Sequence, residues 1–531
     1  MSETVEIRRF TAQYRLRPSQ FDQRYRLDRL LPEVTGEALE LALERAGIRT
    51  NEIVCIPSIH VPVRLRLSRA NSALVAEWVR LLAGAIADVC SQAMVAVRYR
   101  SRSLALVDMG AHIAQERFHY VWAWRQIGFW EGSDEPANLS AGALEFAGAL
   151  AREPEAAVAV LATLAARGLL RPLLRSLEDF WAEIAFAVLQ AAGARTHWPL
   201  TGELDEQGRA PLHELETGNW LAPTERRFAS LAGGPATRTL ERSRILRECL
   251  GIQLSEGAAM PLALLALLEC EPALVRADSA QLFVSVRAVH DRAFGPAHES
   301  SISAKGEVEQ APPVSQAEQV PRGFQAEQAS RGLRAKPPLL GSNRPTSGIQ
   351  GAGEPELFKA QVGLRAEGIT DFGGLLFLLH ILDELRVPER AVASEGISGR
   401  GLAWFQHRLA LTLQPLQPDD PAALAFCGLG PSSQHPSWEQ PLPSPDEQDL
   451  IEAFAVEVRE ALAEALPEPP RAPEMLMQFV CRRHARIVVD PGWIELRFAL
   501  RDVSTEIRRA GLDLDPNYVP WLGVVVRFVY E

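Results

Sequence analysis

The residues that come nearest to a chemical site are His112, Glu116 and His119, which fall within one narrow arc if this stretch is helical. Two histidines and a carboxylate suit a transition metal, and Glu-x-x-His is one half of a carboxylate-bridged di-iron motif. The other half is missing, because no second Glu-x-x-His occurs in the chain. We therefore predict satisfied polar groups on a helix edge. A metal-dependent enzyme built on these three residues is kept as the alternative.

Two further motifs are incomplete. Cys481-Arg-Arg-His484 has half the ligands of a zinc site and no matching pair, so both residues are predicted to lie in a strand. Gly396-Ile-Ser-Gly-Arg-Gly401 resembles a nucleophile elbow only loosely, because Arg400 stands where the Gly-x-Ser-x-Gly pattern needs glycine. Neither motif predicts a catalytic set.

Lysine is almost absent, with Lys305, Lys336 and Lys359 as its only occurrences. No Gly-x-x-x-x-Gly-Lys motif exists, which excludes a P-loop nucleotide hydrolase, and no lysine is placed for a pyridoxal-phosphate Schiff base. We predict a non-enzyme with no catalytic residues, no cofactor and no bound metal.

The most concentrated aromatic stretch is YVWAWRQIGFW at 120–130, which we interpret as the end of a helix that begins near residue 102. On such a helix Phe118, Trp122 and Phe129 share one face, and an opposite apolar face contains Met109, Ile113, Tyr120, Trp124 and Ile127. A helix that is apolar on two sides lies within a core or reserves one side for a partner, and a ligand cage is a third reading. We assign Trp124 to the core. Phe118, Trp122 and Phe129 form the candidate partner contact.

The amino-acid composition limits the expected partners and the expected cellular location. The 531 residues carry a net charge of −12, so no nucleic-acid partner is expected, and the arginine patches at 8–30 and 95–102 are interpreted as solvated strand faces. The six cysteines show no close pairing and are expected to be free thiols. No signal peptide and no membrane-spanning run are predicted, which favours a cytoplasmic protein, or one incorporated into a released particle.

The chain divides around a low-complexity segment. Residues 296–355 are rich in Ser, Gln, Pro and Gly, and they contain the near repeat QAEQVPRGF and QAEQASRGL, so we predict a disordered linker. The remaining divisions are a mixed α/β region at 1–101, a helical domain at 102–295 and an α+β domain at 356–531. The predicted fold class is mainly α with α+β parts.

Individual elements follow from periodicity. Alternation of Val61, Val63, Leu65 and Leu67 with polar residues predicts a strand with one buried face, and a second short strand is expected at 95–100. The C-terminal part is expected to contain a β-hairpin around Asp490-Pro-Gly, with a last strand at the chain end. Helices are predicted at 36–46, 71–93, 140–151, 154–167, 172–192, 237–250, 259–269, 372–386, 399–413, 449–466 and 502–510, the last ending at Gly511.

Three consecutive segments, FGGLLFLLHILDELRV (372–387), GLAWFQHRLALTL (401–413) and PAALAFCGL (421–429), resemble the C-terminal part of tape-measure-type proteins of extracellular contractile injection systems. In that resemblance Phe405-Gln406 and Cys427-Gly428-Leu429 occupy the family's pattern positions. The chain end, IRRAGLDLDPNYVPWLGVVVRFVYE, and ALVDMGAHIAQERFHYVWAWRQIGFW at 105–130 look like other proteins of such phage-tail-like gene clusters.

The resemblance implies a non-enzymatic structural or assembly component of a contractile injection particle, with other particle subunits as partners. This chain has a long insert and no uninterrupted helix that could span a tube, so the resemblance does not imply a ruler. A stand-alone helical adaptor is the remaining alternative beside the metal-dependent enzyme.

Overall fold

The computed structural model describes residues 7, 10–45, 52–91, 96–133, 138–194, 234–276, 279–295, 365–438, 440–467 and 472–531. The predicted linker at 296–355 lies outside these residues. Over the described ranges the chain is mainly helical with one two-stranded and one five-stranded sheet, which confirms the predicted fold class.

The first helices pack around their own small core. They are α1 (Gln23–Thr35), α2 (Glu37–Arg45) and α3 (Asn71–Ser91), of which the last two match the predicted helices at 36–46 and 71–93. Leu27 and Leu30 from α1 meet Leu74 and Trp78 from α3 in a cluster separate from the rest of the molecule's core. This part therefore forms its own layer.

The predicted strand at 61–67 is wrong as a strand, although its pattern of burial is right. Val61, Val63, Leu65 and Leu67 are partly buried against the small core, while the residues between them are exposed. Residues 58–66 nevertheless pair with no other described strand. The strand of this region is instead β1 (Ile53–Cys55), antiparallel to β2 (Val97–Tyr99) as predicted at 95–100.

The helical part surrounds a large core. Gly110 allows α4 to approach α6 and α7 closely, since a Cβ there would lie 2.7 Å from both Phe146 and Leu164. Its helices are α4 (Arg102–Ala114), α5 (Val121–Gln126), α6 (Leu139–Arg152), α7 (Pro154–Ala166), α8 (Arg171–Ser176), α9 (Trp181–Ala191), α10 (Pro235–Arg242), α11 (Arg244–Cys249), α12 (Glu256–Cys270) and α13 (Ser279–Phe294).

Three helices predicted as continuous are interrupted. The helix from 102 ends at Ala114 and resumes at Val121, the helix at 172–192 breaks at Glu178–Phe180, and the helix at 237–250 breaks at Ser243. At Ser243 the hydroxyl accepts the N–H of Leu246 and so caps a new helix, because serine competes for backbone groups. Apolar periodicity persisted across each break, which is why the sequence did not reveal it.

The C-terminal part begins with β3 (Ala366–Thr370) and a 3₁₀ turn, Gly373–Leu378, which replaces the first half of the predicted helix at 372–386. The later predicted helices at 399–413, 449–466 and 502–510 are present, with Gly511 (φ 72°) ending the last. In order the helices are α14 (Leu379–Glu384), α15 (Val387–Ala393), α16 (Glu395–Ser398), α17 (Leu402–Leu413), α18 (Pro421–Phe426), α19 (Pro445–Ala465), α20 (Pro473–Cys481) and α21 (Thr505–Arg509).

The five-stranded sheet confirms the predicted hairpin and final strand. Asp490 pairs with Trp493 across the Pro491-Gly492 turn. The strand order is β3-β4-β5-β7-β6, and only β5 and β7 are parallel. The remaining bounds are β4 (Ala485–Asp490), β5 (Trp493–Phe498), β6 (Asn517–Val519) and β7 (Val524–Tyr530).

The sheet has one buried and one half-open face. Ile494, Leu496 and Phe498 point into the C-terminal core, whereas Trp493, Glu495 and Arg497 alternate onto the other side. This second face lies towards the N-terminal half, because Trp493, Glu495 and Arg497 line one groove together with residues 52–68. The turns beside the sheet also approach the helical part, since a Cβ on Gly492 would lie 3.1 Å from Ala159 of α7 and one on Gly523 would lie 3.2 Å from Pro272. The two halves therefore meet over the described residues. No helix in those ranges is both long and apolar enough to cross a membrane.

Candidate functional site: an arginine-lined groove beside the aromatic segment

The polar strip predicted on α4 is organised by one buried carboxylate. Asp108 Oδ2 accepts hydrogen bonds from Tyr99 Oη (2.9 Å) and Trp124 Nε1 (3.2 Å). Asp108 Oδ1 lies 3.1 Å from His112 Nδ1, one helical turn later. Asp108 is only 7% exposed, so its carboxylate has lost most of its hydration. The hydrogen bonds from these partners compensate for that loss.

This carboxylate also sets the proton affinity of its neighbours. Burial lowers the pKa of His112, but the hydrogen bond to Asp108 and its charge raise it more, so the net pKa lies above the ordinary value. Burial and the Asp108 charge raise the pKa of Tyr99 well above its usual range. Burial and the nearby His112 lower the pKa of His119. The Asp108 contacts therefore favour the protonated form of His112.

The three residues weighed as metal ligands are arranged differently from a ligand set. His112 turns Nδ1 to Asp108, and its ring meets that of His119 edge-on with centroids 5.0 Å apart. Glu116 is exposed and sits in the left-handed conformation (φ 55°) just past the end of α4. Across the described ranges, no three His, Cys, Asp or Glu side chains are placed to share a metal ion.

The break after α4 rearranges the predicted aromatic faces. The N–H of Arg117 donates to the carbonyl of His112 (2.9 Å) and that of Glu116 to Ile113 (2.9 Å), which is the Schellman pattern of a helix end. The same pattern closes α5, where Gly128 (φ 80°) is the left-handed residue and Phe129 N–H donates to Trp124. The aromatic segment is thus a separate one-and-a-half-turn helix between two reversals.

The three candidate partner-contact residues therefore do not share a face. Phe129 is fully buried, with the Arg102 guanidinium 4.6 Å over its ring. Phe118 is partly buried and packs over Gly142. Trp122 is also partly buried, but it lies on the wall of a large groove. Trp124 is fully buried, as assigned from the sequence.

The groove lies between the N-terminal layer and the half-open face of the five-stranded sheet. Its volume is about 3360 Å³. One wall is formed by residues 10–17 and 52–68, and the opposite wall by β4, β5 and β7, while Trp122 and Arg102 also line the groove. No sequence motif pointed to it, because its walls lie more than 400 residues apart. The feature of the sequence that could have indicated the groove was the row of polar residues on one side of each alternating segment.

Arginine dominates the groove although the chain as a whole is acidic. Eleven arginines line it against seven carboxylates. On the sheet wall the arginines are paired within the chain, Arg365 with Asp490, Arg497 with Glu495 and Arg486 with Glu367. On the opposite wall four exposed arginines have no carboxylate within ion-pair distance among the described residues: Arg15, Arg17, Arg64 and Arg66.

The two incomplete motifs are placed as structural parts. Cys481 is fully buried at the end of α20, where burial raises the pKa of its thiol to about 12, and His484 is exposed beside Asp371. Both precede β4, so the prediction that they are strand residues is wrong. Arg400, from the glycine-rich motif, forms a two-bond ion pair with Glu447.

Neither the family models nor the curated proteins nor the solved structures contain a match to this chain.

Proposed function

We propose that this chain is a non-enzymatic structural or assembly component of a contractile injection particle, and that it docks onto other particle subunits through the groove. The observation that carries the docking role is the groove's size. Small-molecule pockets occupy about 300–1,000 Å³, whereas this groove has about 3360 Å³. A space that large accommodates a segment of another macromolecule.

The particle assignment is supported by the three segments that resemble tape-measure-type proteins. Their glycines have identifiable roles in the packing and the turns of the fold. Gly373 and Gly374 open the first segment where a Cβ would collide with Ala485 and the carbonyl of Val480. Gly428 in Cys427-Gly428-Leu429 is the left-handed residue that ends α18. These pattern positions shape the C-terminal core, so we infer that contacts with other subunits are made elsewhere, at the groove.

Trp122 is the proposed anchor of the docking contact. Tryptophan, with tyrosine and arginine, is enriched among the side chains that dominate binding energy at interfaces. Trp122 presents part of its ring to the groove, while its neighbour Trp124 is used to hold α5 in the core. In this proposal the protein is cytoplasmic or incorporated into a released particle, with protein subunits and no nucleic acid as partners.

The test is co-sedimentation of the epitope-tagged full chain with particles purified from cells that produce the complete gene cluster. We expect the wild-type chain in the particle fraction and at least a tenfold loss for Trp122→Ala. Trp438→Ala is the matched control, because Trp438 is 70% exposed and outside the groove. Absence of the wild-type chain from particles, with normal particle yield after deletion of its gene, would contradict the particle role and leave the stand-alone adaptor.

The metal-dependent enzyme is tested separately. A ligand set at His112, Glu116 and His119 would retain zinc, iron or manganese during purification without chelators. We expect less than one equivalent per chain by elemental mass spectrometry, and no change in melting temperature with EDTA. One tightly held metal that is lost in His112→Ala/His119→Ala would favour the enzyme.

A further inference from the structure

Two extended segments form the N-terminal wall of the groove, residues 10–17 and 58–66. Both pack on the small core with alternate side chains. Tyr14 and Leu16 do so from the first segment, and Val61, Val63 and Leu65 from the second. Between them Arg15, Arg17, Arg64 and Arg66 point outward and are exposed. Both segments thus have the side-chain period of a strand with one buried face.

Neither segment forms the backbone hydrogen bonds of a paired strand. Within residues 11–16 and 58–65 no N–H or carbonyl forms a backbone–backbone hydrogen bond with another described residue. Only Pro62 lacks an N–H group in these two stretches. An extended backbone with unpaired donors and acceptors beside a groove is a template for an added strand.

The charge of this wall indicates the chemistry of that strand. The arginine strip (Arg15, Arg17, Arg64 and Arg66) has no intramolecular carboxylate partner among the described residues, although the chain carries a net charge of −12. Its members are spaced two residues apart within each segment, so they face alternate residues of a paired strand. Carboxylates at those alternate positions would form bidentate ion pairs with guanidinium groups.

We propose that the groove accepts an extended acidic segment of a partner protein, which adds as a strand along 58–66 or 10–17 with its carboxylates on the arginine strip. This rests on the proposed docking function and names the class of partner. Nine residues of strand span about 30 Å, which is the length of the segment 58–66 that the added strand would cover. The failed strand prediction at 61–67 has the same explanation, because a strand-forming sequence lacks its pairing partner in the isolated chain.

A peptide strand fits the groove better than a nucleic-acid strand does. On the opposite wall Asp490 and Glu495 are neutralised by Arg365 and Arg497, so the distinction rests on the N-terminal wall, whose unpaired backbone can hydrogen-bond to a peptide strand and not to the edge of a phosphate chain. Over the described residues, arginines without a carboxylate in ion-pair distance recur at the two-residue period of a strand on the N-terminal wall.

Binding is measured with the full-length protein and a fluorescein-labelled ten-residue peptide of alternating Glu and Val, by fluorescence anisotropy. We expect saturable binding that weakens at least tenfold in Arg64→Glu/Arg66→Glu. The control is Arg171→Glu/Arg501→Glu, which makes the same change in net charge at two exposed arginines outside the groove. Circular dichroism and melting temperature verify that both variants fold.

Backbone pairing is tested with the same peptide N-methylated at alternate residues, which removes the donors of one edge and leaves the charge intact. We expect at least a tenfold loss of affinity for one of the two N-methylation registers. Equal binding of the parent peptide and both methylated forms would overturn strand addition. Tighter binding of a ten-nucleotide oligothymidine than of the peptide would overturn the acidic-peptide assignment in favour of a phosphate ligand.

The same assay distinguishes a partner protein from two other occupants of the groove, a segment of this chain and a second copy of it. If deletion of the acidic stretch 203–216 raised peptide affinity, the groove would belong to this chain's own segment. If the peptide dissociated a dimer of the chain, the occupant would be a second copy. Either result overturns the proposal. Particle association through Trp122 without peptide binding would remove this inference alone, whereas peptide binding without particle association would remove the particle assignment alone.

Discussion

At the scale of single residues, Asp108 connects three parts of the chain through its carboxylate. It accepts from Tyr99 of β2 and Trp124 of α5 and pairs with His112 of its own helix. A buried carboxylate is stable only where hydrogen bonds and charges compensate its lost hydration. Asp108 therefore fixes the position of α5 relative to α4. Its contact in α5 is Trp124, in the middle of the aromatic segment.

The two tryptophans of α5 are predicted to respond differently to truncation. Trp124→Ala should reduce the free energy of unfolding by about 3–5 kcal/mol, as for other fully buried large aromatic residues, and it also removes a donor from Asp108. Trp122→Ala should cost clearly less, because its side chain is only partly buried. Urea denaturation of the full chain measures both. Equal losses would place Trp122 in a core.

The pKa shift of His112 predicts a pH-dependent contribution to stability. Its folded pKa lies above the unfolded value of about 6.5. The charged His112–Asp108 pair therefore stabilises the fold fully below that unfolded value and loses this contribution as pH rises through the folded pKa. The charge of the neighbouring Arg117 opposes the shift and does not reverse it, and the ring of His119 contacts that of His112 edge-on.

His112→Gln, which removes the titrating group, should lower the melting temperature more at pH 5.5 than at pH 8.5, relative to wild type at each pH. His484→Gln is the control, since His484 is exposed. A larger loss at pH 8.5 than at pH 5.5 would mean that His112 is neutral in the folded protein.

At the scale of elements, the ends of helices decide where the aromatic segment points. Both α4 and α5 end in a residue with positive φ, Glu116 at 55° and Gly128 at 80°. Glycine adopts this conformation freely, whereas an L-residue with a Cβ pays roughly 1–2 kcal/mol. One helix end is thus strained and the other is relaxed.

These two positions form a matched pair. Glu116→Gly should stabilise the protein by about 1 kcal/mol, because it relieves the left-handed strain. Gly128→Ala should destabilise it by about the same amount, since a Cβ there meets nothing within 4 Å and only the backbone conformation changes. Thermal denaturation checks both signs. Destabilisation by Glu116→Gly would indicate that the Glu116 side chain makes a stabilising contact.

At the scale of the whole molecule, a buried ion pair within the helical part also forms a hydrogen bond to the C-terminal half. Arg238 of α10 binds Glu271 through Nε and donates from Nη1 to the carbonyl of Gly399 at 2.8 Å. Both side chains are about nine-tenths buried or more. Arg276 extends the junction towards Asp383 and Glu389, with its guanidinium over the Trp521 ring.

Removal of one partner of this pair is expected to be worse than removal of both. Arg238→Met leaves the Glu271 carboxylate buried without its cation and should cost about 3–5 kcal/mol. Arg238→Met/Glu271→Leu removes the uncompensated charge and should regain most of that loss. Urea denaturation of the wild type, both single variants and the double variant closes the cycle. Additive losses would mean that the two side chains are not coupled.

Periodicity and turn chemistry in the sequence were enough to determine much of the local structure. The hairpin followed from Asp490-Pro-Gly492 between alternating segments, and the end of α21 followed from Gly511. The burial of Trp124 and the half-buried alternation of 61–67 also followed from local patterns. Such features depend on residues within a few positions of one another, so the sequence suffices for them.

The break at Glu116 and the groove were decided only by the tertiary structure. A glutamate rarely adopts positive φ, so no local pattern predicted the reversal that separates α4 from the aromatic helix α5. Whether 58–66 pairs as a strand depends on which backbone lies beside it, and the sheet wall of the groove comes from residues more than 400 positions later. The alternation of buried and exposed side chains is a property of one segment alone. The pairing of strands and the two walls of the groove depend on distant segments that the packing of the hydrophobic cores brings together.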